Sequence, residues 1–144
     1  MKYKTDWNKK EEVERSWYII DVKDQILGRV ATKIASLLIG KEKVSMVPNV
    51  DGGDYVIVIN TDEVKLSRGK DLKKTYFRHS GFPGGLKEIV FADQIKKNST
   101  KVIEIAVKNM LPKNKLRDGR MARLFTYKGG EHKQDGQKPI EYKI

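Results

Sequence analysis

A layered α/β domain carrying basic extensions is what the sequence predicts, and three observations carry the prediction. A strand-like run, an amphipathic helical run and an almost wholly apolar run follow one another between residues 16 and 60, which is the order β-α-β. A second helical pattern ends near residue 110. The formal net charge is +11 over 144 residues, and it collects in the later part of the chain.

The elements follow in order. Residues 16–22, SWYIIDV, are rich in aromatic and β-branched side chains and read as a strand. Residues 28–39 read as a helix, because Leu27, Val30, Ala31, Ile34, Leu37 and Leu38 fall on one face and Gly40 is placed to stop it. Residues 54–60, DYVIVIN, are apolar between polar ends, the pattern of a strand covered on both faces. Residues 64–67 read as a further strand, with a turn at 68–71 and residues 73–78 returning as its partner. Within that return, alternation points Tyr76 and Phe77 to opposite faces. Residues 91–97 read as a short helix. A longer one follows to Met110, capped by Ser99 or Thr100, with Val102, Ile103, Ala106, Val107 and Met110 inward. Pro112 ends it. Beyond that point the apolar periodicity fades, and basic residues alternate with Gly, Asn and Asp to the C-terminus.

The length favours one domain over 1–144, large enough to bury about two-thirds of the surface exposed by the unfolded chain. It divides into an N-terminal extension at 1–15, an α/β body at 16–111 and a basic C-terminal segment at 112–144. No cysteine is present, which excludes disulfides, thiolate catalysis and cysteine-ligated zinc. The longest strictly apolar run is YVIVI, far short of the roughly 18 residues of a membrane span. The N-terminus has positive charge with no apolar stretch behind it, so no secretory signal is expected. A soluble, cytoplasmic protein without membrane contact is the default expectation.

Charge placement says more than its total. Residues 16–64 carry five Lys/Arg against seven Asp/Glu, residues 65–101 ten against three, and residues 107–144 ten against four. Two basic blocks beside a near-neutral half suit a polyanion such as nucleic acid better than a small acidic substrate. The alternative is lysines that only decorate a solvated surface.

The stretch HSGFPGGLK at 79–87 holds three glycines and a proline between Arg78 and Lys87. It resembles a phosphate cradle but lacks the glycine-lysine-serine order of a P-loop, and LGR at 27–29 has too few glycines for a dinucleotide fingerprint. A flexible arm beside phosphates or bases is the functional reading, and an ordinary Gly-Pro turn is the bland one. Glycines here would keep bulky side chains from holding the backbone away from a crowded partner. His79 and His132 stand in no metal-ligand spacing and read as polar contacts to RNA or as solvated groups. Asp51 and Asp54 bracket Gly52-Gly53 and read as a turn into the YVIVI strand rather than a catalytic pair. No Ser/His/Asp set, metal site or cofactor site is identifiable.

The second basic stretch, KNMLPKNKLRDGRMAR at 108–123, carries Lys108, Lys113, Lys115, Arg117, Arg120 and Arg123, with Lys101 upstream. Met110, Leu111, Leu116 and Met121 read as pins holding it on the body, so that the cations line one ridge and meet successive phosphates. A membrane-surface or calmodulin-type helix is broken by Pro112 and by Asp118-Gly119. Tyr76, Phe77 and Phe82 lie among Lys73, Lys74, Arg78 and Lys87, where aromatic rings can stack on unpaired bases or simply pack in a core.

Taken together, WYIID (17–21), LGRVA (27–31), GKEK (40–43), VDGGDYVIVIN (50–60), HSGFPGGLK (79–87), VIEIAVKNMLPK (102–113) and YKGGEHKQDGQKP (127–139) resemble the bacterial large-subunit ribosomal protein L13 family. The resemblance runs from about Trp17 to Pro139. It implies a three-layer α/β/α domain around a four-stranded, mostly parallel sheet. It also implies binding to 23S-type rRNA in the large subunit beside neighbouring ribosomal proteins, early entry into assembly, and no enzymatic activity. Carried onto this chain, it sets Lys41, Lys43, Arg78, His79, Lys87 and the ridge after Met110 against rRNA. Lys74, Lys108, Lys113, Lys115, Arg117, Arg120, Arg123, Lys128 and His132 complete the expected RNA-binding set. Asn109 and the LRDGR stretch depart from the family's pattern, where glycine is more usual. The expectation is therefore a structural rRNA-binding protein on the cytoplasmic ribosome, with no cofactor and no small-molecule substrate. Two rivals are a free-standing RNA-binding regulator and a basic α/β enzyme acting on nucleic acid.

Overall fold

The computed structural model describes residues 9–144; most of the expected N-terminal extension lies outside that range. Four strands form one sheet in the order β5-β2-β1-β6, all parallel: β1 (Trp17–Asp21), β2 (Tyr55–Ile59), β5 (Leu124–Thr126) and β6 (Ile140–Glu141). The apolar run of β2 is explained by its place. It pairs with β1 on one side and β5 on the other, and Val56, Ile57 and Val58 are fully buried.

Helix α1 (Leu27–Ile39) connects β1 to β2 and buries the face predicted for it. It stops at Gly40, whose φ of 83° forms a left-handed cap with its N–H donating to the Ser36 and Leu37 carbonyls. Helix α2 (Phe91–Met110) packs beside α1 through Val102, Ile103 and Val107. Tyr18, Ile20, Val56, Val58 and Leu124 face these helices from the sheet. Trp17, Tyr55 and Phe125 stack on the other side, Trp17 and Tyr55 with centroids 4.2 Å apart. The step from β5 to β6 runs opposite to the steps from β1 to β2 and from β2 to β5. A right-handed crossover therefore carries residues 127–139 over that second face, and it contains a 3-10 turn, Asp135–Gln137, where the other connections have long helices.

Three local readings change. Residues 64–67 form no strand and contribute one isolated bridge, Ile26 to Lys65. The residue 73–78 segment pairs forward instead: β3 (Thr75–His79) and β4 (Leu86–Val90) make an antiparallel hairpin separate from the main sheet. The two expected helices are one element with a break at Asn98 (φ −162°, ψ 98°). Neither Ser99 nor Thr100 occupies that break. Thr100 Oγ1 donates to Asn98 Oδ1 (2.7 Å), while the buried Ser99 hydroxyl pairs with Thr61 Oγ1 at 2.8 Å. Residues 112–144 are more than a basic appendage, since they supply α3 (Arg117–Met121), β5 and β6.

Candidate nucleic-acid interface

The two carboxylates of VDGGD decide which cations are available to a partner. Asp51 receives both terminal nitrogens of Arg123, Nη1 at 2.6 Å and Nη2 at 2.7 Å, and the Nε of Arg120 at 3.4 Å. Arg123 also donates to the Gly119 and Leu38 carbonyls. Arg120 and Arg123 are 2% and 7% exposed. Burial alone would push the Asp51 carboxyl up. The bonded Arg123 guanidinium, with the charges of Arg15 and Arg120, holds it below its ordinary value. Asp54, also buried, accepts from Ser16 N–H (2.8 Å) and from Lys43 Nζ (2.6 Å). Lys43 Nζ further donates to the carbonyls of Glu14 and Gly52.

Gly53 makes this junction possible: a Cβ there would run into the Leu38 carbonyl at the end of α1. VDGGD is thus the point where the end of α1, the start of β2 and α3 are tied together. Three members of the expected RNA-binding set are held in it. Lys43 turns onto the buried Asp54 and Arg120 and Arg123 onto the half-buried Asp51, because a charge taken out of water requires a partner. Arg15, which sequence reading passed over, joins the same knot by donating to the Gly53 (2.6 Å) and Asp51 (2.9 Å) carbonyls.

Eight of the remaining cations point outward. Lys41, Lys74, Arg78, Lys87, Lys108, Lys113, Lys115 and Lys128 are exposed, and none makes an ion pair among the described residues. Lys74 Nζ lies over the Tyr76 ring, 5.4 Å from its centroid. Arg117 is half-buried, with its Nε enclosed and without a hydrogen-bond partner among the described residues. His79 is exposed, and its Nδ1 accepts from Gly81 N–H at 2.9 Å. His132 is largely enclosed, its Nδ1 3.3 Å from both Gln134 N and Asp135 Oδ1, so it organises its own turn.

Helix α2 brings the two basic blocks together. On one flank a shallow groove is lined by Lys74, Thr75, Tyr76 and Phe77 of the hairpin with Ile105, Ala106 and Asn109 of α2. On the other flank Lys101, Glu104, Ile105 and Lys108 face Asp118 and Met121 of α3. Ile105 lines both. Of the expected pins, Leu111 is buried and Met121 packs on the core, whereas Met110 is exposed.

The pliable loop resolves into a defined turn. Gly85 N–H donates to the Phe82 carbonyl (3.0 Å), and Gly84 has φ 71° after Pro83, the pattern of a type II turn. A Cβ on Gly85 would meet Ser80 Oγ. These two glycines are therefore required by the hairpin's own geometry, before any partner is considered. Tyr76 is half-buried against the core and Phe77 is 67% exposed, so the predicted alternation is present. Among the described residues no cluster of His, Asp and Glu could hold a metal ion, and no helix is long and apolar enough to cross a membrane.

Comparison with known proteins finds relatives along nearly the whole chain. A family model described as "Ribosomal protein L13" matches residues 15–133. The chain is 49% identical over 138 residues to the large ribosomal subunit protein uL13 of Thermosipho africanus, covering 96% of this chain and 93% of that one. It is 49% identical over 141 residues to uL13 of Azotobacter vinelandii, covering 98% and 99%. It is 46% identical over 133 residues to uL13 of Kocuria rhizophila, covering 92% and 90%.

Proposed function

The chain belongs to the ribosomal protein L13 family, structural rather than enzymatic proteins of the large ribosomal subunit, and from that membership we propose that it binds large-subunit rRNA during early assembly of that subunit. Its place of work is the ribosome in the cytoplasm, beside other large-subunit proteins. The observation that carries the reading is the sorting of charge. The carboxylates of Asp51 and Asp54 take Lys43, Arg120 and Arg123, while Lys41, Lys74, Arg78, Lys87, Lys108, Lys113, Lys115 and Lys128 stand exposed with no anionic partner among the described residues. An uncompensated set of that size is electrostatically unfavourable in the free protein and favourable against a polyphosphate.

The mechanism is neutralisation. Each phosphate contacted releases condensed counterions, contributing about −0.7 to −0.9 to the slope of log affinity against log salt. If all eight exposed cations engage, the slope approaches about −6 to −7. Nuclease footprinting of a large-subunit rRNA transcript with the purified chain across a salt series tests this. Discrete protections that fade steeply with salt are expected. Uniform weak protection, equal on an unrelated RNA of the same length, would overturn the proposal. Retention on isolated large subunits after a high-salt wash separates a resident component from a free regulator.

A further inference from the structure

We infer that the β3-β4 hairpin is a nucleotide clamp, holding one RNA phosphodiester between Arg78 and Lys87 and an unpaired base on Phe82, and that the free protein gives up hairpin stability to keep it. The inference rests on the rRNA-binding reading and names how one part of that surface works.

Register carries the argument. Arg78 lies directly opposite Lys87, and Tyr76 opposite Ile89. Strand alternation puts these four side chains on one face of the hairpin, with Phe77, His79, Leu86 and Glu88 on the other. Tyr76 and Ile89 are half-buried, so the cation pair continues outward from the face turned toward the body. That face has no carboxylate on either strand; the one acid of the two strands, Glu88, stands opposite Phe77 on the other side. Like charges directly across an antiparallel pair destabilise it. A two-stranded sheet outside the main one has little stability to give up. An anion between the two side chains removes the repulsion.

A lone phosphate would leave the exposed ring of Phe82 unexplained. Phe82 is 74% exposed at the first position of the type II turn. The turn is closed by backbone bonds from Ser80 N–H to the Gly85 carbonyl and from Gly85 N–H to the Phe82 carbonyl, so Phe82 is presented on a defined frame. A phosphate joined to a base matches cations and ring together.

The test uses the full chain and an in vitro large-subunit rRNA transcript. Lys87→Glu places a carboxylate across from Arg78. Amide hydrogen exchange over residues 75–79 and 86–90 should slow by about two- to five-fold. RNA binding should weaken by about 25- to 60-fold at 0.1 M salt, the salt slope becoming shallower by about 1.4 to 1.8. Phe82→Ala should weaken binding by about 5- to 150-fold with the slope unchanged, and Phe82→Trp should restore it. If the wild-type chain shows no preference for the transcript over an unrelated RNA, the rRNA-binding reading itself fails. If the wild type binds and Lys87→Glu keeps both affinity and slope, the clamp fails alone. Unchanged exchange in Lys87→Glu overturns the stability claim. Unchanged affinity in Phe82→Ala overturns the base contact. Equal Lys87 dependence for vesicles of anionic phospholipid would assign the clamp to a headgroup instead.

Discussion

Arg123→Met tests whether this cation holds the fold or meets the proposed RNA partner. In the wild type Arg123 makes two short charge-assisted bonds to Asp51 and two more to the Gly119 and Leu38 carbonyls, all nearly out of reach of water. Charge-assisted bonds contribute about 1.5–3 kcal/mol each, and removing one member of a buried pair costs about 3–5 kcal/mol because its partner is left unpaired. Arg120, 3.4 Å from Asp51 through Nε, offsets part of that loss, so a value of about 3–4 kcal/mol is expected. With a urea m-value of about 2 kcal/mol/M, the midpoint should fall by about 1.5–2 M. Under conditions where the variant is still folded, its salt slope for the rRNA transcript should equal that of the wild type. A midpoint shift below about 0.5 M, together with a slope shallower by about 0.7–0.9, would show that Arg123 meets phosphate and that the inward assignment is wrong.

The same knot predicts acid sensitivity. The Asp51 pKa is lower in the folded protein than its ordinary 3.8, so its contribution is present above that value and is lost as pH falls through the folded one. Asp51→Asn should destabilise at neutral pH, and the difference from wild type should shrink below pH 3.8 in acid titrations of unfolding. Gly53→Ala should cost about 3 kcal/mol or more by denaturant unfolding, since the added Cβ meets the backbone carbonyl of Leu38. Tyr76→Phe should be neutral or stabilising by up to about 1 kcal/mol, because the Tyr76 hydroxyl is buried with no hydrogen-bond partner among the described residues. The same burial raises its pKa. A loss above that size in thermal unfolding would mean that the hydroxyl has a partner after all.

Legibility in the sequence tracked the range of the interaction. The α1 face, its Gly40 stop and the doubly covered β2 follow from periods of 3.6 and 2 within a dozen residues, and all three are present. The hairpin was misread because Thr75–His79 can pair with either neighbour, and turn chemistry decides between them. The turn at 68–71 looked sufficient, yet Phe82-Pro83-Gly84-Gly85 supplies the proline and positive-φ glycine of a type II turn, and pairing goes forward. Strands β5 and β6 are three and two residues long, too short for any periodicity to register. Parallel partners supplied by distant parts of the chain fix them.

The candidate site was half legible for a related reason. Exposure of Lys74, Arg78, Lys87 and Lys108 follows from a local excess of charge that no nearby acid could balance. The inward turn of Arg120 and Arg123 depends on Asp51, 69 and 72 residues away, so no local count could assign it. A signal was nevertheless present. Two aspartates bracket Gly52-Gly53 immediately before a strand that is buried on both faces. Carboxylates at the mouth of such a core cannot stay ionised without cations beside them. The turn reading therefore required inward Lys or Arg from elsewhere in the chain. Subtracting them from the surface before counting phosphate contacts is the step that turns a net charge into an interface.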